Sequence, residues 1–177
     1  MAVERDVEMT GEMYDPFTSR VNWSAGAVSG FVAAAVMGLA ISLVQLDTLR
    51  IAIAGLYGFE GSLLLGWLFH LLHGTLFGVV FAAILSDPGL YRLTDWRWKT
   101  LVAAVVYALV LAVVGAGFVF PIWLELAGVT ASAPVPNLTV PLVAWHLVYG
   151  LALGAVYPLA EEFVAERVGD QRGEPAA

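Results

Sequence analysis

Four stretches of the chain are almost unbroken apolar sequence, at about 22–45, 62–85, 98–121 and 139–160, and polar residues gather between them and at both ends. A run of about 20 apolar residues is long enough to cross a hydrocarbon layer roughly 30 Å thick. In lipid the backbone must satisfy its own hydrogen bonds, so a spanning segment is a helix or a strand of a closed barrel. Barrel strands alternate apolar and polar over about ten residues, and these runs do not. The pattern predicts an all-α membrane protein with four transmembrane helices in one bundle over 22–164.

The polar segments fill in the plan. MAVERDVEMTGEMYDPFTSR with Val21 is acidic and lacks the basic start and short apolar core of a signal peptide. It is expected to be a disordered tail ahead of a retained first helix. Asp87-Pro88-Gly89 signals a tight turn between the second and third helices. The stretch 46–61 is too apolar for a solvated linker and is expected to lie in the membrane interface as a short helix, and either it or 121–137 could cap the bundle. The segment 121–137 is apolar, then Pro-rich, and 165–177 reads as a fraying helix end with a disordered terminus.

Basic residues set the orientation. Arg5, Arg20, Arg92, Arg97, Lys99, Arg167 and Arg172 belong to the two tails and the middle loop, against Arg50 alone on the other side. Both termini are therefore expected in the cytoplasm of a cell-membrane protein. Trp23, Trp96 and Trp98 fall near the inner interface and Trp123 near the outer one. Asn137-Leu138-Thr139 fits a glycosylation acceptor on the outer side.

HLLHGTLFG at 70–78 and HLVYGLALG at 146–154 repeat one pattern at an offset of 76. Trp23 lies one residue from the position that this offset pairs with Trp98. A two-helix hairpin used twice, by tandem duplication, explains both. Two crossings per unit leave the copies facing the same way. Within the helices small residues recur every four positions: Asn22, Gly26, Gly30, Ala34, Gly38 and Ser42; Gly66, His70, Gly74, Gly78 and Ala82; His146, Gly150, Gly154 and Pro158. Such a row occupies one helix face. It lets backbones approach closely, the small-xxx-small packing that holds helices together in lipid. The third helix is richer in Val and Leu and is expected to face lipid more.

Composition narrows the chemistry. The chain is 60% hydrophobic, above the roughly 45–50% of soluble domains. Without cysteine there is no disulfide, thiolate metal site or thiol catalysis. A net charge of −7 with a single lysine, Lys99, points to a high-salt organism and away from nucleic acid. No Gly-x-Ser-x-Gly elbow, phosphate loop or HExxH occurs. Glu161 and Glu162 are adjacent, so they diverge around a helix and read as a solvated end.

His70, His73 and His146, with Tyr149 standing where His73 would repeat, adjoin the glycine rows and are expected to point into the bundle. His70 lies about eight residues into its helix, some 12 Å deep. Polar glue between helices accounts for them. An intramembrane ionisable group is also a candidate functional residue. His70 and His146 at matched depth could ligate a b-type haem, although Arg50 alone is at hand for propionates. With His73 and Tyr149 they could line a proton or solute path, although no embedded carboxylate completes it. No cofactor and no metal site is the primary expectation.

GAVSGFVAAAVMG, HLLHGTLFGVVFA and WHLVYGLALGAVYP resemble small haloarchaeal four-helix membrane proteins of unknown function, and are distantly similar to the YagU-like inner-membrane family. The resemblance covers about 22–160 and implies a multi-pass membrane protein without transferring catalytic residues. Proteins of the haloarchaeal kind are sometimes labelled histidine kinases. No stretch here reads as a soluble ATP-binding domain, and the three histidines are expected to be too buried for phosphotransfer. The expected function is a non-enzymatic accessory or interaction component, surrounded by lipid, acting as a homodimer or with a membrane-protein partner. A haem-binding electron carrier and a small transporter or channel are the alternatives.

Overall fold

A computed structural model of the chain describes residues 21–171 except positions 88, 91, 92, 94, 95 and 132. The expectations for residues 1–20, for Arg92 and for 172–177 lie outside the described residues. The fold is all-α, with four helices long and apolar enough to cross a membrane: Trp23–Val44, Leu63–Leu85, Arg97–Leu126 and Val140–Arg167. These are α1 (Trp23–Val44), α2 (Leu63–Leu85), a composite third helix, and α5 (Val140–Gln171). The third crossing consists of α3 (Arg97–Val110), a π-helical stretch Leu111–Val119 (π2 below) and α4 (Phe120–Leu126). A π-helical turn, Thr48–Ile53 (π1), follows α1. Both hairpins start and finish at one end of the bundle, the tail end, and turn at the other, the loop end.

Local chemistry sets the helix starts. The Asn22 side chain accepts from the Ala25 N–H at 3.0 Å, and the Ser62 hydroxyl from the Leu65 N–H at 3.3 Å. Each fills an orphan donor of a first turn. Between π1 and α2 the chain reverses through Gly58 and Gly61, at φ 79° and 93°. Side chains with a Cβ rarely adopt that region.

Four features differ from the sequence expectation. Pro121 does not end the third helix. It has no N–H to return to Gly117, and the Asn137 backbone N–H takes the Gly117 carbonyl instead, at 2.8 Å. The helix therefore continues to Leu126. The fourth helix passes through Pro158 and continues to Gln171, well beyond position 160 and into the stretch expected to fray. The 46–61 segment is folded inward rather than laid on a surface: Leu49, Ala52, Ile53, Ala54 and Leu56 are all buried. Val21, placed with the tail, is buried in the core.

The helices pack in the order α2–α1–α5–α3. Gly26 and Gly30 of α1 face Gly74 and Gly78 of α2. A Cβ on Gly30 would come within 2.5 Å of the Gly74 carbonyl oxygen and 2.7 Å of the Gly78 Cα. On α5, a Cβ at Gly150 would meet the Ala108 Cβ at 2.7 Å, and one at Gly154 the Leu101 Cα at 2.7 Å. Opposite these faces α3 exposes Val102, Val106 and Val110, continued by Val114 of π2.

The remaining seam, between α2 and the third crossing, is closed only toward the tail end. There Tyr107 donates to the Phe77 carbonyl at 2.8 Å, and the Phe81 ring packs on Tyr107 and Tyr157 at centroid distances of 5.4 Å. Toward the loop end α2 and π2 part. Arg97 and Glu162 pair at 2.7 Å at the tail end, with side chains 68% and 57% exposed. An exposed pair is worth about 0–1 kcal/mol. Arg97→Ala is therefore expected to leave the thermal unfolding midpoint almost unchanged.

Candidate functional site

The parted half of the seam encloses a cleft of about 940 Å³. Its walls come from α1, π1, α2, π2, α4, the 130–139 segment and α5. They are mostly apolar, and they bring together His70, His73, His146 and Tyr149. The histidines thus share one space, but each is held differently.

His70 is 6% exposed. Its Nε2–H donates across to the Ala34 carbonyl on α1 at 3.0 Å, and its ring meets Trp67 edge-on. Gly38 makes the room: a Cβ there would lie 2.6 Å from the Trp67 ring and 3.0 Å from His70 Cδ2. His146, its repeat partner, instead donates from Nδ1 to the Leu142 carbonyl of its own helix at 2.8 Å. Its Nε2 has no hydrogen-bond partner among the described residues. His73 is half-buried, and its Nε2 lies 2.5 Å from the Tyr57 hydroxyl. Tyr57 sits outside the spans, where burial pushes its phenol above the ordinary value of 10.0. The phenol keeps its proton, and one hydrogen is shared between it and His73 Nε2. Tyr149 is buried and donates to the Gly74 carbonyl at 2.7 Å, tying α5 to α2 and closing the floor of the cleft.

Several lining groups escaped the sequence reading. Tyr57 stacks on Phe69 with centroids 3.8 Å apart and meets Trp123 edge-on at 5.7 Å. Trp145 donates to the Gln45 side chain at 2.9 Å, joining α5 to the end of α1. Thr130 bonds Glu60 through both its hydroxyl and its N–H, joining the two loops at the loop end. Nothing in sequence spacing pairs position 57 with 73 or 60 with 130, since each pairing depends on how π1 folds inward. The π2 stretch had one visible hint, Gly115 and Gly117 just ahead of Pro121. Gly66, on the α2 glycine face, takes the Leu49 carbonyl of π1 where a Cβ would stand.

The ligand capacity of this arrangement is narrow. Asp47 is the only carboxylate among the lining residues, and Arg50 pairs with it at 2.6 Å. No lysine or arginine lines the cleft among the described residues. Nor do any three His, Asp or Glu side chains gather as metal ligands among the described residues. For a haem, His70 offers only Nδ1, since Nε2 is committed to Ala34. Arg50, the expected propionate partner, is engaged with Asp47. The groups present do not suit bis-imidazole ligation.

The chain matches no family model, no curated protein and no solved structure.

Proposed function

We propose that this chain is a non-enzymatic accessory component of the cell membrane that receives a small lipid-soluble molecule in the cleft between its two hairpins. The observation that carries the reading is the cleft itself. Its 940 Å³ lies within the roughly 300–1,000 Å³ typical of small-molecule sites, and a few polar groups converge in an apolar wall. The lipid bilayer is its first partner. A homodimer or a membrane-protein partner can cover the exposed apolar faces.

The remaining parts of the reading have separate support. Arg97, Lys99 and Arg167 belong to the tail end and Arg50 to the loop end, which favours cytoplasmic termini. Duplication is supported by matched helix starts and contacts. Asn22 and Trp96 precede α1 and α3 at an offset of 74, and Ala34 and Ala108 take equivalent places against Gly74 and Gly150. His70 and His146 keep the offset of 76, so two residues separate the copies in the connecting segment. Glycine-on-backbone approach at both hairpins supports small-xxx-small association. The acid-rich, lysine-poor composition and the resemblance to small haloarchaeal membrane proteins fit a high-salt setting.

Two alternatives are weaker. Haem ligation would have to use Nδ1 of His70, since Nε2 is bonded to Ala34. A channel would need a route to the tail end, where Tyr149, Tyr107 and Phe81 fill the seam.

Gly115→Phe tests the cleft reading. Gly115 lines the cleft, and a Cβ there has nothing within 4 Å, so a ring fills the space without displacing a helix. Native mass spectrometry after exposure to a membrane lipid extract is expected to show retained small lipids falling at least about tenfold in the variant, with folding intact. Equal retention would refute the reading.

A further inference from the structure

The hydrogen-bond directions around the cleft specify the head group of its occupant, given the cleft-binding reading above. A carbonyl oxygen only accepts. The nitrogen facing it must therefore carry the hydrogen, at His146 Nδ1 toward Leu142 and at His70 Nε2 toward Ala34. A neutral imidazole that donates from one nitrogen keeps its lone pair on the other. His146 Nε2 is then an acceptor, without a partner among the described residues, on a residue that lines the cleft.

The aromatic donors in the same wall are engaged. Tyr149 donates to Gly74 and Trp145 to Gln45, and Tyr57 and His73 share one hydrogen between them. In either tautomer the Tyr57–His73 pair keeps one further hydrogen to donate. The histidine and tyrosine groups of the wall therefore have an imidazole lone pair to satisfy and one donor to offer, which a hydroxyl group can match from both sides. A carbonyl or an ether can meet only the donor. Charge narrows the class further. Among the described lining residues the only carboxylate is Asp47, paired with Arg50, and no lysine or arginine is present, so an anionic head finds no fixed cation.

The route of entry favours a molecule that arrives through lipid. Leu72 and Leu76 of α2 stand on the rim of the cleft and are 58% and 55% exposed, where α2 and π2 separate. We propose that the cleft binds a neutral lipid-soluble molecule with a hydroxyl head, the hydroxyl donating to His146 Nε2 while the hydrocarbon body extends between α2 and π2 into the bilayer. Long-chain or prenyl alcohols and reduced quinols share this chemistry.

The test uses the full chain in lipid nanodiscs and equilibrium binding of radiolabelled geranylgeraniol. Competitors are unlabelled geranylgeraniol, its methyl ether, a decyl-substituted hydroquinone and the corresponding quinone. The alcohol is expected to compete about tenfold better than the ether, as loss of one buried hydrogen bond implies. The hydroquinone should outdo the quinone likewise. The stronger of the two hydroxyl compounds identifies the source. In His146→Leu the alcohol-to-ether ratio is expected to fall to about one. Equal competition by alcohol and ether in the unaltered protein overturns the hydroxyl assignment and leaves the cleft reading standing. That comparison needs no variant to fold. If none of the probes binds, the cleft reading fails with it.

Discussion

Gly30→Val is expected to destabilise the bundle by about 3 kcal/mol, more than a hundredfold in the ratio of folded to unfolded chain. Gly115→Val, in the third crossing, is expected to change stability by less than about 0.5 kcal/mol. The two substitutions add the same atoms to the same residue type. They differ in what the new atoms meet. At Gly30 the first carbon lies 2.5 Å from the Gly74 carbonyl oxygen and 2.7 Å from the Gly78 Cα. Both obstacles are backbone, so no rotamer change relieves them, and α1 must move away from α2. That separation also pulls Ala34 from Gly74 and from His70, because all three lie on the same seam. In lipid no hydrophobic gain compensates for lost close packing. At Gly115 there is open space. Reversible unfolding in mixed micelles, followed by far-ultraviolet circular dichroism, measures both. Equal stabilities for the two variants would refute the view that backbone proximity holds hairpin one together.

The four crossings were legible because lipid imposes one demand on every spanning segment, and apolar length answers it directly. The ends were less legible where a tertiary contact replaced a local rule. Pro121 looks like a terminator until Asn137 supplies the missing donor to Gly117. Pro158 is carried inside α5. The repeat was visible through His70 and His146, but alignment on Trp23 and Trp98 leaves α1 and α3 out of step with their contacts. Gly30 and Ala104 occupy matching places against Gly78 and Gly154, an offset of 74. The histidines line the cleft. Their division of labour was not readable, since His70 reaching across to α1 through Nε2 and His146 bonding back along α5 through Nδ1 occupy the same place in the repeated pattern.

The cleft was invisible in the sequence for a related reason. It arises from a mismatch between the two ends of one seam. Bulky aromatics, Phe81, Tyr107 and Tyr157, bridge α2 to the third crossing and α5 near the tail end. Near the loop end the third crossing widens into π-helix, and small residues, Gly115 and Ala116, face the gap. Neither half is unusual by composition. Only their placement at opposite ends of the same seam opens a space, and π1 then roofs it.

Gly66→Leu is expected to lift that roof. A Cβ at position 66 would lie 2.6 Å from the Leu49 carbonyl carbon and 3.3 Å from the Arg50 nitrogen, so π1 cannot stay seated on α2. The seat matters because Leu49 is fully buried there, with Ile53 against Trp67, Phe69 and Phe120. Overpacking of this kind costs about 2 kcal/mol. It acts on a short segment at the end of the bundle, so local opening rather than global unfolding should absorb it. The chain has no cysteine, which makes a single thiol a clean reporter. Ala54 is fully buried and does not line the cleft, so Ala54→Cys is expected to react slowly with a water-soluble maleimide. Adding Gly66→Leu should raise that rate roughly thirtyfold, the Boltzmann factor for the same 2 kcal/mol. Leu64→Phe, at an exposed neighbouring position, should leave it unchanged. If the thiol stays protected in Gly66→Leu, π1 is not anchored through the glycine, and the roof must be held by Glu60 and Thr130 joining the loops instead.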